Sequence, residues 1–215
     1  MKYTTYYEDS CMIGYSSYEQ MKAMVERENP NGILEHVKVR KLKFENTEIE
    51  NQRLAGDEGI PLYSICLKNL DENRLYLEKK SWQNHVTYKS YTKLTREECE
   101  KILNGDLEWM KTHKKSLCRD FYLQYTINNL RPTRVREYER EIGKCKDNNY
   151  ITFNLNIRTA LDKNVDLFAE EIDMMDCLSE DKVAVSYKKE TKIPRVIANV
   201  LHIGNEQLNE LATAL

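Results

Sequence analysis

Long hydrophobic runs are absent from this sequence, and glycine is scarce in it. No apolar stretch approaches the ~20 residues that a membrane-spanning helix requires, and the mean hydropathy of −0.72 is typical of a globular protein with a well-solvated surface. The seven glycines are scattered, and none opens a predicted helix. Walker loops and dinucleotide-binding loops need clustered glycines at such a junction, so both are excluded.

Cysteine is present, but without the spacing of a metal site. The six cysteines form no Cys-x-x-Cys pair, and the histidines nearest to them do not complete a zinc-binding spacing. Free cysteine behaves as a small hydrophobic residue. We expect reduced, mostly buried thiols at Cys11, Cys66, Cys99, Cys118, Cys145 and Cys177.

An excess of positive charge is also missing. The chain has 33 Lys and Arg residues and 35 Asp and Glu residues, which gives a formal net charge of −2. Such a chain has no global basic field that would attract nucleic acid or an anionic membrane. We predict no nucleic-acid partner and no transmembrane segment, and any anion-binding site has to be local and enclosed.

The start of the sequence lacks the pattern of a secretory signal. It has no basic leading region, no central apolar run and no small-residue cleavage site. A cytoplasmic protein is therefore expected.

The order of predicted elements is rich in strands and contains no βαβ repeat. A chain of 215 residues suits one large domain, residues 1–215, because that length buries about 70% of the surface exposed on unfolding. Strands are predicted at 3–13, 36–44, 62–68, 74–80, 86–93, 135–144, 150–158 and 182–189. Helices are predicted at 18–27, 95–103 and 107–111, from 116 to Pro132, and from Pro194 onward. This order predicts an α+β fold, an antiparallel β-barrel or tunnel with inserted and C-terminal helices.

Two local patterns contribute most to this prediction. Residues 36–44 alternate between apolar and basic side chains, which predicts a strand with one apolar face and one strongly basic face. Thr95 and Glu98 have the spacing of a capping box, so they predict the start of a helix. The acidic stretch 162–181 has few strand signals and is predicted to be an excursion from the sheet.

Several short motifs between residues 74 and 158 share their order and spacing with one family. The first is a strand with Leu-Glu-x-Lys at 77–80, followed by a basic partner strand around Lys89 and a helix that ends in Gly105-Asp106. The second block contains Leu-Arg-Pro at 130–132, Arg140 between two glutamates, and Ile-Thr-Phe-Asn-Leu-Asn-Ile-Arg at 151–158. Together these motifs resemble the vacuolar transporter chaperone (VTC) domain, which has the triphosphate-tunnel, or CYTH-like, fold of polyphosphate polymerases.

The resemblance implies an antiparallel tunnel whose inward lysines and arginines bind ATP, polyphosphate or another phosphate anion. Arginine grips phosphate oxygens with two donors and lysine supplies a compact charge. The phosphate-binding residues that it implies are Arg40, Lys80, Lys89, Arg140 and Arg158, with Lys80, Arg140 and Arg158 as the catalytic residues. It also implies that Glu8 and Glu78 hold Mn²⁺ or Mg²⁺, since carboxylates are preferred ligands of hard cations.

The chain also departs from the family pattern at positions where tunnel charges are expected. Neutral residues replace them at Ser10, Leu62, Ser64, Cys66, Ser90, Tyr150, Asn154, Ala184 and Ser186. Ala184 matters most, because it replaces an expected metal-binding glutamate.

Three functions stay open at this point. The first is a polyphosphate polymerase or related phosphotransferase that uses a nucleoside triphosphate and a divalent cation. The second is an inactive tunnel, a pseudoenzyme that binds polyphosphate, phosphate or a nucleotide. The third is a protein-interaction scaffold, and a regulatory or membrane partner protein is compatible with all three.

Overall fold

The computed structural model of the chain describes residues 6–28, 34–54, 60–83, 86–144, 150–179 and 181–188. Within these ranges the chain forms nine strands, four α-helices and one 3₁₀ turn at Glu108–Met110. The strands are β1 (Tyr6–Gly14), β2 (Glu35–Glu45), β3 (Leu62–Lys68), β4 (Asp71–Gln83), β5 (Val86–Lys93), β6 (Arg131–Lys144), β7 (Tyr150–Ala160), β8 (Met174–Asp176) and β9 (Lys182–Lys188). The helices are α1 (Tyr15–Glu28), α2 (Thr47–Leu54), α3 (Arg96–Leu103) and α4 (Ser116–Ile127).

The described residues form two compact units, and each unit is assembled from separate stretches of the chain. The first unit contains Tyr6 and the described parts of Val39–Arg136 and Ala160–Met174. The second unit contains the described parts of Tyr7–Lys38, of Glu137–Thr159 and of the chain from Met175 onward. Strands β1, β2, β6, β7 and β8 each contribute residues to both units.

The first unit is an antiparallel sheet with helices packed on one face. Strands β2, β3, β4 and β5 pair in that order without parallel neighbours. The centre of the core is Phe121 of α4, which is fully buried. Its ring meets Phe44 edge-on at 5.1 Å and Tyr63 at a tilt at 5.4 Å, both measured between ring centroids. The sheet contributes Leu42, Phe44, Tyr63, Ile65, Leu67, Leu75 and Leu77 to this core.

The segment between β7 and β8 lies on the same core. Leu167 is buried in it, and Val165, Phe168 and Ile172 pack against it. The guanidinium of Arg96 stacks 3.5 Å from the centroid of the Phe168 ring, a favourable cation–π arrangement. The part of the predicted acidic excursion before Met174 is therefore held on the first unit by apolar side chains, whereas Met174–Asp176 forms strand β8, which the prediction missed.

The second unit packs α1 against strands β1, β7 and β9. Its core contains Tyr18, Met21 and Val25 of α1 together with Cys11, Ile13, Ile151, Phe153, Val183 and Val185 of the strands. The Glu141 carboxylate of β6, only 5% exposed, accepts hydrogen bonds from Tyr18 Oη at 2.8 Å and from Lys22 Nζ at 2.9 Å. Burial and the bond to this carboxylate raise the pKa of Tyr18 to about 12, so its phenol stays protonated as a donor.

Most predicted elements are confirmed, with β3 and β5 at the predicted residues. The capping box at α3 is present, with both reciprocal bonds between Thr95 and Glu98. Helix α2 was missed, although Asn46 accepts a bond from the Ile49 backbone N–H as an N-cap residue does. The predicted C-terminal helix from Pro194 onward lies outside the described residues.

The cysteines that the structure describes are free thiols, as predicted. Cys11, Cys66, Cys99 and Cys118 are buried, Cys177 is partly exposed, and Cys145 lies outside the described residues. Burial raises the pKa of Cys99 to about 12 and that of Cys118 to about 11. These two thiols are therefore protonated near neutral pH, which makes them poor nucleophiles.

None of the helices in the described ranges has the length and apolar character needed to cross a membrane.

His113 makes the stability of the first unit sensitive to acid. Its Nδ1 accepts a hydrogen bond from the Lys115 backbone N–H at 3.2 Å, which requires the ring to be neutral. Burial, and then the charge of Lys115, lower the pKa of His113 below its ordinary value of 6.5. Because the unfolded chain takes up the proton at a higher pH than the folded one, this stabilisation is present above pH 6.5 and is lost as the pH falls through the folded pKa.

We expect the melting temperature to decline between pH 7 and pH 5, and to decline less steeply in His113→Gln. Melting curves of both proteins across this range measure the difference in pH dependence. The two proteins have all other titrating groups in common, so the difference reports on His113. Parallel curves would contradict the assigned role of His113.

Candidate functional site

The alternating pattern of β2 changes phase in the middle of the strand. Leu42 and Phe44 belong to the core of the first unit, and the pairing with β3 runs without a shift from Val39 to Phe44. Side chains alternate between the faces of a strand, so Lys41 and Lys43 lie on the face away from that core, while Arg40 shares the core side. The prediction of one continuous basic face over residues 36–44 is therefore wrong.

Lysines gather on the sheet face opposite the core of the first unit. Directly opposed residues of an antiparallel pair share a face. The register pairs Lys43 with Ser64 and Ser64 with Glu78, and it pairs Lys80 with Lys89. We call this surface the lysine face, and we define it by six charged residues, Lys41, Lys43, Glu45, Glu78, Lys80 and Lys89.

Two lysines of the lysine face are deeply buried for charged residues. Lys43 is 2% exposed and Lys41 is 8% exposed. An ammonium group loses its hydration at such a position, which is costly unless anionic or polar groups compensate it. Lys41 Nζ lies 2.6 Å from Glu78 Oε1, and the two side chains are 10% and 16% exposed.

Lys80 and Lys89 were both predicted as phosphate-binding residues, and the structure brings them together. They are opposed across β4 and β5, and Lys80 Nζ lies 5.0 Å from the centroid of the Trp82 ring. Like charges directly opposite each other destabilise a sheet. An anion bound between the two ammonium groups would remove that repulsion.

Arg40 lies on the other side of the sheet from Lys80 and Lys89. It is 1% exposed and donates to the backbone carbonyls of Leu167, at 3.0 Å, and Ala169. The role that this placement supports is the anchoring of the segment between β7 and β8. The predicted phosphate contact of Arg40 is not supported by its position.

Arg140 of the second unit lies on the face of β6 away from α1. Its Nε donates to Asn154 Oδ1 at 2.7 Å, whereas Glu141, the next residue, contacts α1. On the strands of this unit, Asn154 opposes Ala184, and Ser10 and Thr152 oppose Ser186. Arg140 therefore lies on a face where neutral residues replace the charges that the resemblance implies.

Arg158 was predicted to share a lining with Arg140, but it lies on the opposite face. Its Nη2 donates to Glu137 Oε1 at 2.9 Å. Glu137 and Arg140 are three residues apart on β6, so their side chains lie on opposite faces of the strand. Asn156 has a positive φ of 51°, and this left-handed residue disrupts the alternation of β7 just before Arg158. Arg158 instead lines an open surface cleft of about 550 Å³ with Tyr15, Glu139, Asn156 and Asp176.

The residues implied as metal ligands do not form a cation site in the described part of the chain. Glu78 is engaged by Lys41, and the side chain of Glu8 in β1 lies outside what the structure describes. No group of three or more His, Cys, Asp or Glu residues suited to a metal ion occurs among the described residues. Among the described residues, Glu78 alone does not make a Mn²⁺ or Mg²⁺ site, since such cations require several oxygen ligands.

Comparison with solved structures shows the same fold at very low sequence identity. A putative adenylyl cyclase from Hippeastrum, described as having a dominant triphosphatase activity, has a TM-score of 0.54 and 10% identity, over 92% of this chain and 84% of that chain. A putative adenylate cyclase from Bacillus halodurans has a TM-score of 0.54 and 7% identity, over 100% of this chain and 94% of that chain. The predicted α+β fold of the triphosphate-tunnel class is confirmed.

Comparison of the sequence itself identifies a family. A comparison with curated proteins finds no match. The sequence model of the VTC domain matches residues 16–207, which is most of the chain and includes every strand from β2 to β9. The suspected resemblance is confirmed, and the chain belongs to the VTC domain family.

Proposed function

We propose that the lysine face binds a linear phosphate anion, a triphosphate or a polyphosphate chain. The observation that carries this proposal is the burial of Lys41 and Lys43 on a face that also presents Lys80 and Lys89. Four lysines on this face exceed its two carboxylates, Glu78 and the neighbouring Glu45 on β2. A linear phosphate carries one negative charge or more per unit and would neutralise this excess along its length.

The chemistry of lysine suits such a ligand. Each ammonium group offers three rotatable donors at the end of a flexible stem, so it follows phosphate oxygens without demanding one geometry. Charge-assisted bonds of this kind are about twice as strong as neutral ones. Membership in the VTC domain family and the triphosphatase activity described for the Hippeastrum protein support the same ligand class.

Calorimetry with tripolyphosphate tests the proposal directly. We expect Lys43→Gln and Lys80→Gln each to weaken binding about tenfold or more, because each removes one charge from a partly desolvated site. Lys114→Gln is the matched control. It makes the same change of charge at an exposed residue in the turn before α4, and we expect less than about a twofold effect. Equal affinity of all four proteins, or no binding by the wild type, would overturn the proposal.

A second candidate is nucleotide-dependent phosphotransfer, as in a polyphosphate polymerase. Family membership and the retained Lys80 and Arg140 favour it. In this reaction Lys80 would contact the phosphate chain, and Arg158 could contact an anion only after leaving Glu137. Neutral residues at Ser64, Cys66 and Ala184 favour binding without turnover. Polyphosphate formed from ATP with Mn²⁺ or Mg²⁺, and lost in Lys80→Gln, would decide for the enzyme.

A further inference from the structure

The ion pair between Lys41 and Glu78 crosses an intervening strand. Lys41 lies on β2 and Glu78 on β4, with β3 between them. Neighbouring strands lie about 4.8 Å apart, so the two backbones are about 10 Å apart and both side chains have to reach over β3. Ser64 and Cys66 lie on this face of β3, opposite Lys43 and Lys41. Their small side chains leave the space through which Lys41 Nζ comes within 2.6 Å of Glu78 Oε1.

The same space would be filled if β3 carried long basic residues there. The ion pair between Lys41 and Glu78 therefore depends on the small neutral residues of β3 beneath it. A cation that bound Glu78 would have to displace an ammonium group from a carboxylate that is only 16% exposed. Two positive charges at this distance repel strongly when water is largely excluded.

We propose that Lys41 takes the place of a divalent cation beside Glu78, so that the lysine face binds phosphate without a metal ion. This inference rests on the proposed function, because it concerns the same face and the same anion. The inference nevertheless differs from the proposed function, because the face could bind an anion whether Glu78 holds a metal ion or pairs with Lys41. Lys41 contributes the positive charge, and Glu78 holds Lys41 in position and reduces the repulsion among the neighbouring lysines.

The first test measures tripolyphosphate affinity in EDTA and in Mn²⁺. We expect the wild type to bind equally well in both, within about twofold, because its Glu78 is already neutralised. Lys41→Met should bind about tenfold more weakly in EDTA and recover in Mn²⁺, since the carboxylate then repels phosphate until a cation bridges them.

Glu78→Gln should bind more tightly than the wild type, and Lys41→Met with Glu78→Gln should show no response to Mn²⁺. A wild type that needs Mn²⁺ for binding overturns the inference.

Lys79→Met is the matched control for this series. Lys79 neighbours Glu78 on β4 but faces the other side, where its Nζ lies 2.7 Å from Asp120 Oδ2. The substitution also frees a carboxylate from a lysine, yet away from the lysine face. It should leave the response of phosphate binding to Mn²⁺ unchanged. If Lys41→Met does not fold, Lys41→Gln replaces it.

The second test requires no anion and separates the inference from the proposed function. Melting temperatures of the wild type and Glu78→Gln are compared with and without millimolar Mn²⁺, since a bound ion stabilises the folded state. We expect no effect of Mn²⁺ on either protein, together with non-additive destabilisation by Lys41→Met and Glu78→Gln. A Mn²⁺-dependent stabilisation of the wild type that disappears in Glu78→Gln overturns the inference. Absence of tripolyphosphate binding overturns the proposed function. The second test still decides whether Lys41 or a metal ion pairs with the Glu78 carboxylate.

Discussion

Gly143→Ala is expected to destabilise the second unit severely. A Cβ atom at Gly143 would lie 2.0 Å from Val25 Cγ1 and 3.0 Å from Leu34 Cδ2. Val25 is fully buried, and its branched side chain has one strongly preferred rotamer in a helix, so it cannot turn away cheaply. Because insertion into a packed core typically costs 1–3 kcal/mol, we expect a loss of about 3 kcal/mol or more in the free energy of unfolding. Urea denaturation measures this change.

A second substitution at the contacting residue provides the control. Val25→Ala removes the Cγ1 atom that meets the new methyl group, at the cost of a small cavity. The double variant should therefore be more stable than the sum of the two single effects implies. If Gly143→Ala is as stable as the wild type, that result contradicts the close contact between Val25 of α1 and Gly143 of β6.

Phe121→Ala is expected to cost about 3–5 kcal/mol of unfolding free energy, as is usual for a large aromatic residue in a core. Phe121 is fully buried and contacts the rings of Phe44, Tyr63 and Tyr125. Its removal leaves a cavity among three aromatic side chains that are fixed by their own neighbours. Since natural domains are stable by about 5–15 kcal/mol, the first unit would lose a large part of its stability.

Leu123→Ala on the same helix is the matched control for Phe121→Ala. Leu123 is 50% exposed, and leucine and alanine both favour helices, so we expect only a small change. Urea denaturation followed by circular dichroism compares the two. Similar losses at both positions would show that α4 does not pack through Phe121.

The stability of the first unit also matters for the proposed function. The sheet that carries Phe44, Tyr63 and Leu77 on its core face carries Lys43, Ser64 and Glu78 on the lysine face. The proposed anion binding depends on holding four lysines close together against their repulsion, and a rigid sheet supplies that positioning. We therefore expect Phe121→Ala to weaken tripolyphosphate binding even though Phe121 lies on the opposite side of the sheet.

Local chemistry made most of the elements predictable. The capping box of Thr95 and Glu98 marked α3, because this signal depends only on residues close in sequence, and β3 and β5 lie at the predicted residues. Short family motifs likewise located Glu78, Lys80 and Lys89, which lie on two adjacent strands joined by a short connection. The sequence by itself therefore determined the fold class, the family and these members of the lysine face.

The remaining residues of the candidate site depended on contacts that are distant in sequence. Which side of β2 faces the helices is decided by the packing of Leu42 and Phe44 on α4, and that choice placed Lys41 and Lys43 on the lysine face and Arg40 beside Leu167. The left-handed Asn156 likewise changed the side on which Arg158 lies. The ion pair of Lys41 with Glu78 joins residues 37 positions apart across an intervening strand. No local pattern contains such a pair, because only the tertiary structure decides which side chains share a face and how far they reach.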